Sequence, residues 1–228
     1  MVSEAINAPL AVPESASVAR RMRRWFLVAA PVLAGVFAVI GAAADPAVGF
    51  DGRPLYEKYA ANPDPLQWKS LGFHWSYAFW TITALMLAGL VRARGVWLAN
   101  IAGLLAFVGA TTLPGLLVVD FYDSAIGQVA GVETTVEVNA LMEDTMWGLM
   151  AIALPGLIGA ALSLPVAALA AWRAGFVRWW AVVAVIAGLV AFGESGVAVW
   201  GTVLTTLAFT VFAYALARSD LGRSDAAA

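Results

Sequence analysis

The chain has 228 residues, of which 62% are hydrophobic and 12% charged, and its formal net charge is −2. Soluble domains carry roughly 45–50% apolar and about 25% charged residues, so this composition excludes a single water-soluble core and points to lipid as the solvent. Cysteine is absent and histidine occurs once, which excludes disulfides and thiol redox relays, and leaves one chain unable to build bis-histidine haem or multi-histidine zinc or copper sites.

Six apolar stretches approach the roughly 20 residues needed to cross about 30 Å of hydrocarbon. They run Trp25 to Ala44, Leu71 to Val91, Val96 to Val119, Met146 to Ala171, Trp179 to Phe192, and Val197 to Ala217. The first follows a basic stretch and ends in Ala42-Ala43-Ala44, so a cleaved signal peptide is the alternative; its length favours a retained helix. Between the first two spans, residues 45–70 carry Pro54, Pro63 and Pro65, with "PLYEKYAA" readable as a short helix that begins at proline. Between the third and fourth, residues 120–145 include "VETTVEVN". Its alternation suits a strand, but Val138, Leu141, Met142 and Thr145 share one helical face, and a helix is expected.

Arginines orient the spans. Ten of the 13 lysines and arginines, among them Arg20, Arg21, Arg23, Arg24, Arg92, Arg94, Arg173, Arg178 and Arg218, fall on one side of the alternating helices. Lys and Arg in short loops stay cytoplasmic, so both termini are expected there. The resulting expectation is an all-α integral membrane protein, a bundle of six transmembrane helices with two long acidic outer loops forming a small cap. Its parts are a basic N-terminal segment (1–24), a membrane domain (25–217) and a cytoplasmic tail (218–228).

Two internal echoes stand out. "IAGLLAFVG" at 101–109 returns as "IAGLVAFG" at 186–193, which reads either as a duplicated hairpin of the transporter kind or as chance in a chain rich in Gly, Ala, Leu and Val. "LPGLL" at 113–117 and "LPGLI" at 154–158 place Pro114 and Pro155 at matching depth in the third and fourth spans. Proline removes a backbone donor and clashes with the preceding turn, so an outward cavity between these two spans is expected, with ordinary helix packing as the alternative.

The candidate ligand-binding residues lie at the same end: His74, Tyr77, Pro114, Asp120, Asp123, Asp144, Pro155 and Glu194. His74, among Trp75, Tyr77 and Trp80, reads as an interfacial anchor in an aromatic belt, or else as a proton-responsive or substrate-contacting group. The four acids could converge with it to attract a cation, although no metal-ligand spacing is present. Lys58 and Lys69 have few anionic partners other than the acids of 120–145, so the two loops are expected to touch.

"GESG" at 193–196 resembles the Gly-x-Ser-Gly motif around the nucleophile of rhomboid intramembrane proteases. The resemblance covers four residues and implies a serine hydrolase using Ser195. In that family the histidine follows the serine, whereas His74 precedes Ser195. The leading functional expectation is instead a non-catalytic membrane subunit or scaffold with an acidic, aromatic outer face. A binding or transport protein for a small molecule or cation is the alternative, and the hydrolase is third. The expected partners are the lipid bilayer and other membrane subunits or further copies of the chain; no cofactor and no nucleic acid are expected.

Overall fold

The computed structural model describes residues 14–219, and all regular structure among them is helical. Eight helices follow in order: α1 (Glu14–Ala44), α2 (Gly52–Ala61), α3 (Pro63–Leu90), α4 (Val96–Val129), α5 (Val132–Thr145), α6 (Trp147–Arg173), α7 (Trp179–Glu194) and α8 (Val199–Ala217). Four of them, α1 from Val18 onward, α4, α6 and α8, are long and apolar enough to cross a membrane. Large apolar side chains stand exposed on each of the six long helices, for example Val36, Ile82, Leu104, Ile152, Ile186 and Leu207. Exposure of this kind at mid-helix is stable in contact with lipid and costly in water. The fold is that of an all-α membrane-embedded protein.

Each long helix occupies an expected apolar stretch, but several extend beyond it. Residues 45–70, read as a loop, hold α2 and the first two turns of α3. Asn62 alone separates these helices, and Pro63 opens α3 at the position where its missing N–H costs least. Residues 120–145 likewise hold the end of α4 and all of α5. The alternation in "VETTVEVN" is overridden because Thr135 and Asn139, one turn apart, both face α4, where Asn139 Nδ2 donates to Asp123. Residues 1–13 and 220–228, which hold part of the expected basic segment and nearly all of the tail, lie outside the described residues.

Small residues set the helix spacing. Along α1, Ala30, Ala34, Ala38 and Ala42 recur every four residues and are all at most 2% exposed, forming one buried edge. A Cβ placed on Gly72 of α3 would lie 2.4 Å from the Gly41 nitrogen of α1, so the two backbones touch there. In membranes, close approach of this kind replaces the hydrophobic drive that water would supply. Larger side chains fill the middle: Leu27, Trp80, Leu87, Leu164, Phe209 and Phe212 form one core among α1, α3, α6 and α8. The Trp80 ring stands edge-on to Phe209 at 4.9 Å, and its indole nitrogen has no hydrogen-bond partner among the described residues. Threonines within the helices answer their own preceding turns, as Thr83 does to Phe79 O at 2.6 Å. Thr205 also donates to Gly188 O at 2.9 Å, tying α8 to α7.

The arginine-rich end is closed by a side chain. Arg24 of α1 donates to Ala217 O at 2.9 Å and Ser219 O at 3.2 Å, covering carbonyls at the end of α8 that the helix leaves without donors. At the same end, Gly95 starts α4 with φ +93, and a Cβ there would meet Ala170 O at 2.8 Å, so both conformation and space require glycine.

Candidate functional site

The opposite end carries the polar side chains. Lys69 of α3 is only 8% exposed. Its ammonium bonds Asp120 of α4 at 2.9 Å, lies 3.9 Å from Asp45 at the end of α1, and donates to the Tyr59 hydroxyl of α2. It also sits 4.5 Å from the centre of the Tyr59 ring. Four helices or helix ends therefore meet on one cation. Burial, with help from Asp120, pushes the Tyr59 phenol up to about 12. It is therefore a neutral hydrogen-bonding group at physiological pH.

A second polar layer lies beside the first. Ser124 Oγ donates to Tyr59 O at 2.8 Å, Gln128 Nε2 donates to Ser124 Oγ at 3.0 Å, and Asn139 Nδ2 donates to buried Asp123 at 2.8 Å. Farther out, Arg53 pairs with Glu57 at 3.0 Å and with Glu133 of α5. These groups are more than half exposed, so solvent screens the pairs and they contribute little to stability. Segments 45–70 and 120–145 are thus in direct contact. Lys69 reaches the second segment as expected, whereas Lys58 faces the Phe50 ring at 5.3 Å instead.

A groove of about 630 Å³ runs between α3 and α4, and Lys69 is not among its lining residues. From α3 it is lined by Pro63, Leu66, Gln67, Ser70, Leu71 and His74, spaced as one helical face; from α4 it is lined by Pro114, Leu117, Val118, Phe121, Ser124, Ala125 and Gln128. None of these residues is Asp, Glu, Lys or Arg. At 1.5 Å per residue the groove extends about 17 Å along α3 and about 21 Å along α4. The helices are antiparallel neighbours, so Pro63 and Gln128 mark one end and His74 and Pro114 the other.

The lining is mostly apolar, and most of its polar groups are already engaged. Gln67 Nε2 bonds Asp64 and Pro63 O, while Ser124 and Gln128 serve Tyr59 and each other. Two groups remain. Ser70, 3% exposed, has a hydroxyl with no partner among the described residues. The His74 ring, half-buried, stands edge-on to Trp75 at 5.4 Å and makes no hydrogen bond among the described residues.

Of the candidate residues, the structure brings His74 and Pro114 together in this groove and separates the others from it. Pro155 and the expected cavity between the third and fourth spans are a correction. Those spans are α4 and α6, and below the prolines they pack closely: a Cβ on Gly109 would lie 2.6 Å from Ala160 N and one on Gly159 2.6 Å from Leu105 O, both backbone atoms, and one on Gly156 2.2 Å from the Thr112 side chain. Gly109, Gly156 and Gly159 close the gap that the prolines were expected to open. Tyr77 turns toward α7, with its ring 6.4 Å from Phe192.

The acids do not converge. Asp120 is bound to Lys69 and Asp123 to Asn139, while Asp144 and Glu194 are exposed. Among the described residues no three His, Cys, Asp or Glu side chains are grouped to hold a metal ion. Ser195 and His74 share no hydrogen bond among the described residues: Ser195 Oγ donates to Phe192 O at 3.0 Å, and His74 lines the groove. Sequence reasoning missed Ser70, Gln67 and Gln128. The spacing of Gln67, Ser70 and His74 along one helical face was the available signal.

These features define an all-α membrane-embedded protein with an uncharged lateral groove near one end. No protein-family model, curated protein or solved structure matches the chain.

Proposed function

We propose that this chain is a non-catalytic, multi-pass protein of the cell membrane that binds an apolar small molecule in the groove between α3 and α4. The observation that carries this reading is the groove itself, about 630 Å³ in volume, walled by Leu66, Leu71, Leu117, Val118 and Phe121, with few polar groups left free. Binding sites for small molecules are typically concave, mostly apolar and of this size. The scaffold reading has less support, since exposed apolar side chains are spread over all six long helices instead of marking one partner face.

The test is photolabelling of the purified full chain in lipid nanodiscs with hexadecanol carrying a diazirine at the end of its chain. Saturable labelling confined to peptides from 63–74 and 114–128 is expected. Labelling spread evenly over the lipid-facing helices would overturn the reading.

In this proposal α1, α3, α4, α6, α7 and α8 all cross the membrane, with the arginine-rich end cytoplasmic. The ten-to-three division of the 13 cations supports it. A reporter fused after Ala228 is expected on the cytoplasmic side and one inserted at Asn62 outside; labelling of the C-terminus from outside intact cells would reverse the orientation.

A further inference from the structure

Resting on the groove as a binding site, we infer that its ligand is a single-chain amphiphile with an electrically neutral, hydrogen-bonding head, a hydroxyl or carbonyl compound, and that Ser70 reads that head. Three observations converge on this class. The first is the absence of Asp, Glu, Lys and Arg from the lining. A cationic or anionic head entering between α3 and α4 would lose water and meet no opposite charge, which is strongly unfavourable.

The second is the unpartnered Ser70 hydroxyl. It occupies the middle of the α3 face that lines the groove, between Leu66 and His74, and it is 3% exposed. Buried hydroxyls are nearly always satisfied, often by their own preceding turn, as Thr83 is here. Ser70 is not. A hydroxyl both donates and accepts, so it matches a head that does either. His74, one turn further along the same face, offers a second uncommitted donor and acceptor.

The third is shape. The groove is about 17 to 21 Å long and runs along the axes of α3 and α4. An extended chain matches that length.

The inference is tested with the same diazirine-bearing hexadecanol in nanodiscs, displaced by unlabelled hexadecanol, hexadecanoate or hexadecylamine. Hexadecanol is expected to compete at least tenfold better than either charged analogue. In Ser70→Ala its advantage should fall roughly three- to tenfold, the size of one hydrogen bond, and Ser70→Thr, which keeps a hydroxyl, should retain most of it. Thermal unfolding of both variants close to that of the parent shows that the loss is one of recognition. Equal competition by all three compounds, or an unchanged profile in Ser70→Ala with labelling still confined to the groove, would overturn the neutral-head inference and leave the groove reading standing. Labelling outside the groove would overturn both.

Discussion

Lys69→Met is expected to lower the unfolding temperature by roughly 6 to 20 °C. The ammonium is buried and bonds Asp120 at 2.9 Å, with Asp45 at 3.9 Å and the Tyr59 hydroxyl on its other sides. Methionine fills much of the same volume but leaves Asp120 inside the protein with no cation. Removing one partner of a buried pair typically costs about 3–5 kcal/mol, and in a domain of this size each kcal/mol is worth about 2–4 °C. The companion variant separates charge from packing. Lys69→Met combined with Asp120→Leu removes both charges and should recover most of the loss, because buried ion pairs are often replaceable by apolar residues. Detergent-solubilised protein followed by intrinsic tryptophan fluorescence during heating gives both numbers. If the single variant melted with the parent, the ammonium would have to reach water in the folded protein.

Gly72→Ala, a change of one methyl group, is expected to disrupt the contact of α1 with α3. The new carbon would lie 2.4 Å from Gly41 N, 2.6 Å from Gly41 Cα and 2.9 Å from Phe37 O, all backbone atoms with no side-chain freedom. The helices must move apart, at a cost of about 1–3 kcal/mol or more. Gly115→Ala is the contrast: this glycine lies within α4, and nothing stands within 4 Å of its added carbon. There alanine should be neutral or stabilising by up to about 1 kcal/mol, since it loses less backbone entropy in a helix. Loss of stability in both variants alike, or in neither, would show that α1 and α3 do not meet at Gly41 and Gly72.

The helical stretches were legible because long apolar runs admit few alternatives, and their starts at Val96 and Trp179 coincide with the helix starts. Their neighbours were not. Lys69 and Asp120 are 51 residues apart in sequence, and hydropathy says nothing about which of several helices will stand beside α3. The prolines misled for a physical reason. Pro114 and Pro155 suggested parted helices, but Gly109, Gly156 and Gly159, which lie a turn or two away or next to them, remove the side chains that would hold α4 and α6 apart. Where proline and glycine occur together, glycine governed the spacing. The groove formed instead on the other flank of α4, where Leu117, Val118 and Phe121 are too large for such an approach to α3.

The bond from Arg24 to Ala217 joins residues 193 apart in sequence, the first long helix to the last. Translated into time, this is a delay. At about 5–20 residues per second, α1 waits roughly 10 to 40 s after Arg24 is made before its partner on α8 exists. Throughout that interval the small-residue edge around Gly35, which fits against Thr206, faces something other than its final neighbour. The bundle is therefore completed by its last helix, and a chain interrupted before Val199 would carry an unfilled seam along α1 that quality-control machinery could recognise.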